Sequence, residues 1–146
     1  RPETFETARL SLVFFDMDNF KQIVDQQGHL LGAKVLKEVA AVVHSRLDIE
    51  DRIVRYGGDE FIVILPDQGG QKVLSKVESI RKSVSTAVYL KQEGLHIQVT
   101  ASFGLATFPD DARDKKQLLM AADKCLFQSK KEGKDRISIW RHITSE

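Results

Sequence analysis

A chain of 146 residues, 42% apolar and 29% charged, is long enough for one domain with one core and too apolar for intrinsic disorder. A formal net charge of +1 excludes a general electrostatic pull toward nucleic acid or an acidic membrane, and no apolar run reaches transmembrane length. Cys125 is the single cysteine, so no internal disulfide can form, which fits a reducing, cytoplasmic compartment. Any membrane attachment is expected from sequence outside this chain.

The polar residues 1–10 lead straight into a strand, as if the domain had been excised from a longer protein. Residues 11–15 read as a buried strand, and Asp16 and Asp18 follow it at once. Asp is a frequent helix cap, and Asp18 reads that way. Asp16 does not, because a carboxylate at the end of a buried strand is costly unless something pairs with it. A helix is expected over about 20–27, closed by Gly28, and a second over about 31–47, where Leu36, Val39, Ala40, Val43 and Leu47 share one face. Residues 48–51 form an acidic connector. Apolar runs at 53–56 and 61–65 flank a turn of Gly57, Gly58, Asp59 and Glu60, a hairpin in which both glycines are expected to supply positive φ. After a loop at 66–70 comes a helix over about 71–88. Strict alternation from Ile97 to Leu105 predicts a strand with one buried face. A helix over 115–131 and a strand over 137–140 complete the chain, which reads as one domain over 1–146.

A helical crossover returns the second strand parallel to the first. The hairpin turn then lies at the same edge as Asp16, and two acidic clusters face each other. The expected architecture is α+β, a mainly antiparallel sheet with helices on one or both faces. Converging carboxylates suit a hard divalent cation, Mg²⁺ or Mn²⁺, and the implied chemistry is phosphoryl or nucleotidyl transfer. Lys130, Lys131 and Lys134 at a helix end could hold phosphates or simply complement the helix dipole. Lys21 carries the same two readings. His29 reads as a hydrogen-bonding residue at a helix start, Cys125 as an inert buried thiol, and Asp123 as a partner of neighbouring lysines.

Gly57-Gly58-Asp59-Glu60-Phe61, Phe15-Asp16-Met17-Asp18-Asn19-Phe20-Lys21, Gly28-His29, Ala101-Ser102-Phe103-Gly104, Ala122-Asp123 and the run from Lys130 to Gly133 together resemble the GGDEF domain of diguanylate cyclases. The resemblance covers nearly the whole chain, from Leu10 to Trp140. It implies a palm-like nucleotidyl cyclase fold with the metal site at a β-hairpin. It also implies condensation of two GTP into cyclic di-GMP by a transient homodimer, within a longer chain carrying sensory or output domains. Asp16 and Asp59, with the Met17 carbonyl, would bind the metal. Glu60 would assist the metal or the attacking hydroxyl, and Asp59, Glu60 and Lys130 would form the catalytic set. Asn19, Phe20, Lys21, Lys130 and Lys134 would hold phosphates, and Gly57 and Gly58 would adjoin the nucleotide. Lys134 stands where the family usually has arginine.

Three departures accompany the resemblance. Val24 and Ala33 occupy the guanine-reading positions and have no polar side-chain atoms. The family's Arg-x-x-Asp product-inhibition motif is here Asp48-Ile49-Glu50-Asp51, so no allosteric site is expected. The family's segment before the first strand, with a Leu-Thr-Gly-Leu-type motif, does not appear in this chain. The alternative to an active cyclase is therefore a regulatory domain, weakly active or inactive, that binds a nucleotide or a partner protein. Neither reading involves nucleic acid or membrane contact by this domain.

Overall fold

Strand β1 (Leu10–Met17) forms the middle of the sheet because its side chains are apolar on both faces. Val13, Phe15 and Met17 point into one core cluster, and Leu12 and Phe14 into a second on the opposite side. The computed structural model describes residues 8–144, so the expected polar lead-in at 1–7 lies outside the described residues. The order is β1, α1 (Phe20–Gln27), α2 (His29–His44), β2 (Arg52–Arg55), β3 (Glu60–Pro66), α3 (Gly70–Thr86), β4 (Ala101–Phe108), α4 (Lys115–Lys131), β5 (Ile137–Ile139) and α5 (Trp140–Thr144). The sheet runs β2-β3-β1-β4-β5. All pairings are antiparallel except β4–β5. Both β1 and β2 are antiparallel to β3, so β2 runs in the direction of β1, as the crossover argument requires.

Helices cover both faces. Helices α2 and α3 bury Val35, Leu36, Val39 and Val43 and Val73, Val77, Ile80 and Val84 against the odd-numbered side of β1. Phe15 sits there in a stack across three strands, its ring centroid 5.0 Å from Phe61 and 5.1 Å from Phe103. Each such aromatic pair adds roughly 0.5–1.5 kcal/mol beyond its buried area. Helix α4 covers the other face with Leu118, Ala121, Ala122 and Leu126. Gly104 permits the close approach. A Cβ there would meet the Ala122 carbonyl oxygen at 2.2 Å and the Leu126 nitrogen at 2.3 Å.

Four sequence expectations change. The strand expected over 97–105 is β4, Ala101–Phe108, buried on both faces, while Ile97 makes a single bridge to Tyr89. The alternation misled because Ser102 and Gly104 are on the second face and are buried by virtue of being small. Helix α2 stops at His44, where Arg46 and Leu47 tighten into i→i+3 bonds to Val43 and His44. Helix α3 stops at Thr86 because Ala87 turns extended toward the Tyr89 bridge. The last strand ends at Ile139, and Trp140 begins a short helix. Among the described residues no helix is long and apolar enough to cross a membrane.

Candidate active site

The sheet register sets the site. Asp16 on β1 lies opposite Glu60 on β3 and opposite Ser102 on β4, one row on the face that α4 covers. Carboxylates directly opposed across strands normally destabilise a sheet. Asp59 precedes Glu60 at the hairpin tip. From α4, Lys130 Nζ reaches 2.5 Å from Asp16 Oδ1 and 2.8 Å from Asp18 Oδ1, and donates to the Met17 carbonyl at 3.0 Å. Asp16 Oδ1 is buried, and its contact with Lys130 is a close ion pair rather than a directed hydrogen bond; no donor in the described residues completes it. Burial pushes Asp16 up from 3.8 to about 6, against the pull of Lys130 and with help from Asp59 and Glu60. Burial also raises Glu60, and the charges of Asp123 and Asp59 add to it.

Asp18 is not a helix cap. Residue Asn19 stands at the start of α1, without a side-chain cap bond. Asp18 is instead a buried anion that accepts from Thr100 Oγ1 at 2.6 Å, Ser102 Oγ at 2.6 Å, Lys130 Nζ at 2.8 Å and the Asp135 amide at 3.0 Å. Burial opposes its charge, but the bonds from Lys130, Ser102 and Thr100 outweigh that and hold the carboxyl below its ordinary value. This anchor was missed in the sequence, although Thr100 and Ser102, two apart in an apolar stretch, were its signal. Lys130 is correspondingly no mere complement to the helix dipole, and in this structure it sits on carboxylates rather than facing open solvent.

The expected phosphate residues gather at one corner beside Asp18. Asn19 has φ 57°, and Lys134 Nζ donates to Asn19 Oδ1 at 2.8 Å. Lys134 and Asp135 are both left-handed, at φ 68° and 50°, which aims the Asp135 amide at Asp18. Lys21 is exposed in the first turn of α1, whose leading N–H groups lack a side-chain cap. Phe20 and Val24 pack across α1 onto α2. A Cβ on Gly32 would meet Val24 Cγ2 at 2.9 Å and Phe20 Cζ at 3.4 Å. Ala33 is exposed on α2.

At the hairpin, neither Gly57 nor Gly58 takes positive φ, contrary to expectation. The turn is shaped instead by Arg55, whose Nε donates to the Gly58 carbonyl at 3.1 Å, and by the Tyr56 amide bonded to the Glu60 carbonyl at 2.9 Å. A Cβ on Gly58 would meet nothing within 4 Å, so nothing inside the protein demands glycine there.

The remaining singled-out residues are distributed as follows. Asp51 is buried and accepts from the Asp48 amide, Gln68 and Lys76 at 2.9, 2.8 and 2.7 Å. Asp48 shares Lys76 with it. Asp123 forms no lysine pair among the described residues; its charge bears on Glu60. His29 is exposed at the first turn of α2 and, among the described residues, its side chain has no hydrogen-bond partner. Cys125 is buried, and burial pushes its thiol up to about 12, so it is inert as expected. Among the described residues no three His, Cys, Asp or Glu side chains converge tightly enough to hold an ion unaided.

The family profile described as diguanylate cyclase, GGDEF domain, matches residues 3–136. Diguanylate cyclase A of Treponema denticola is 38% identical over 130 residues, which are 89% of this chain and 35% of that protein. The chain thus spans about a third of the length of the curated relatives it matches. The GGDEF domain of TpbB (YfiN) from Pseudomonas aeruginosa superimposes with a TM-score of 0.88 at 28% identity, covering 99% of this chain and 87% of that one. The GGDEF domain of DgcB from Caulobacter crescentus, solved in complex with c-di-GMP, gives a TM-score of 0.83 at 28% identity, covering 96% and 83%.

Proposed function

The chain belongs to the GGDEF domain family of diguanylate cyclases, and from that premise we propose that it condenses two GTP into cyclic di-GMP, with Mg²⁺ or Mn²⁺, where two copies of the domain meet face to face. The observation that carries this reading is the row Glu60–Asp16 beside Asp59. It holds opposed carboxylates together although burial, with their mutual repulsion added, lifts Asp16 to about 6. A structural role gives no reason for such an arrangement, and perturbed carboxylates in a row are a mark of function.

The donor set fits a hard cation. Asp16 Oδ1 is a buried oxygen lacking a hydrogen-bond donor, Asp59 lies alongside, and the Met17 carbonyl opens on the same side. Mg²⁺ is commonly held by one or two carboxylates together with substrate phosphates, so no tight cluster of three side chains is required. Bound there, the cation would neutralise the polyphosphate and lower the pKa of the attacking hydroxyl.

The chain's own groups supply the rest. The uncapped amides of Asn19 and Phe20 at the start of α1 suit phosphate oxygens. Lys21 and Lys134 add positive charge at that corner, although lysine at 134 lacks the bidentate fork of arginine. Gly57 and Gly58 leave room for a nucleotide against the hairpin, since neither is needed by the backbone there. Glu60, whose carboxyl burial and the neighbouring Asp123 and Asp59 raise above its ordinary value, is suited to accept the proton of the 3′-hydroxyl. The domain would work in the cytoplasm as one part of a longer signalling protein.

One observation favours a second reading. Val24 packs on Gly32 and Ala33 offers only a methyl, so guanine would have no side-chain reader at either position. A nucleotide-binding regulatory domain of low activity would have these features. Incubating the purified protein with Mg²⁺ and GTP and detecting cyclic di-GMP by mass, beside calorimetric titration of Asp59→Asn, separates the two. Product from the wild type alone supports the cyclase. Metal-dependent binding without product supports the regulatory domain. Identical nucleotide affinity and metal dependence in wild type and Asp59→Asn would sink both.

A further inference from the structure

Lys130 occupies the very oxygens that the proposed metal needs. Its ammonium is 2.5 Å from Asp16 Oδ1 and donates to the Met17 carbonyl at 3.0 Å. We infer that Lys130 and the divalent cation compete for these two oxygens, so that metal enters by exchange with the lysine rather than by filling an open site. The inference rests on the reading of Asp16 and Met17 as metal donors.

Mg²⁺ binds oxygen at about 2.0–2.1 Å, so a cation on both atoms would lie within a few ångströms of Nζ. Two positive charges that close in a partly buried site repel strongly. Two of its protons are directed at Asp18 and the Met17 carbonyl, and its charge rests against Asp16 in a close ion pair. Loss of two partners therefore forces it to move. The structure provides for the movement. Asp18 keeps three other donors, from Thr100, Ser102 and Asp135, so it stays anchored while Lys130 shifts. The side chain is 25% exposed on a flexible stem, and the phosphate corner with Asn19 and Lys134 adjoins Asp18. Exchange would thus carry one positive charge from the carboxylates toward the triphosphate. Metal should bind poorly alone and better with nucleotide, because phosphate gives the displaced ammonium a new partner.

The test is Mn²⁺ titration without nucleotide, read by electron paramagnetic resonance, on the wild type, Lys130→Met, Lys130→Arg and Asp16→Asn. Lys130→Met should bind Mn²⁺ on the order of tenfold tighter or more, Lys130→Arg as weakly as wild type, and Asp16→Asn not at all. If Lys130→Met gains nothing while Asp16→Asn loses binding, exchange is wrong and the metal site stands. If Asp16→Asn binds like wild type, the metal reading fails and exchange with it. A measurement on the wild type alone guards against misfolding of a variant. Acetylation of Lys130, followed by mass spectrometry, should be slow in metal-free protein and faster at saturating Mg²⁺. An unchanged rate at saturation would overturn the exchange.

Discussion

Asp16→Asn should stabilise the protein at neutral pH, which few substitutions of a half-buried charged residue do. Asp16 titrates at about 6 in the fold against an ordinary 3.8. Two pH units correspond to about 3 kcal/mol, at roughly 1.4 kcal/mol per unit. The sign follows from linkage. A carboxyl whose folded pKa is raised binds its proton more tightly folded than unfolded, so its charge disfavours folding. That cost is absent below the unfolded pKa, grows between about 4 and 6, and is complete above 6. Asparagine keeps the shape and carries no charge. Lys130 keeps Asp18 and the Met17 carbonyl when Asp16 is neutral. Asp16→Asn should therefore gain about 1–3 kcal/mol at pH 7.5 and little at pH 4. Urea unfolding of both proteins across that range, in EDTA, measures the difference. A uniform loss of stability at every pH would show that the Asp16–Lys130 pair outweighs burial and like-charge repulsion, and would refute the reasoning.

Gly104→Ala places a methyl 2.2 Å from the Ala122 carbonyl, so α4 must lift as a backbone unit. A loss near 3 kcal/mol, at the upper end for overpacking, should lower Tm by about 10 °C and expose the Cys125 thiol to labelling reagents. Asp51→Ala strands Lys76, Gln68 and the Asp48 amide and should cost about 3 kcal/mol in urea unfolding. Because Asp51 is held below its ordinary value, that cost is present at neutral pH and shrinks as pH falls through the acid range. A cyclic di-GMP titration should reveal no submicromolar binding that Asp51→Ala removes. Val24→Asn with Ala33→Asp should raise the preference for GTP over ATP, each new hydrogen bond adding about 1–3 kcal/mol. Calorimetric dissociation constants check it, and a wild-type preference already near a hundredfold would mean that other groups read guanine.

Apolar patterning, together with glycine breaks, was enough to find each strand and the four longer helices, and the apolar faces of α2, α3 and α4 all meet one sheet. It could not show that β4 is covered twice, since glycine and serine carry no hydrophobic signal even when α4 lies directly on them. That the two acidic clusters meet at one sheet edge was legible from the crossover and the hairpin, and the register bears it out by setting Asp16 opposite Glu60. What local reading could not supply was the choice among partners. Lys130 has carboxylates on one side and a phosphate corner on the other, and only the packing of α4 decides where it rests. Asp18 was assigned to a helix cap by the same limitation, because its donors at Thr100, Ser102 and Asp135 are remote in sequence. The conformation of Gly57 and Gly58 was misjudged because Arg55, not backbone handedness, holds the hairpin turn.

The remoteness of those donors also imposes an order of assembly. Asp18 leaves the ribosome early, yet the groups that neutralise it arrive at positions 100, 102, 130 and 135. Until the first of them are made, a nascent chain carries a carboxylate that cannot be buried without a partner. The centre of the sheet is then kept from closing around an unfinished site. A chain interrupted before Thr100 should therefore yield no partly competent domain, only one whose first strand has no settled end.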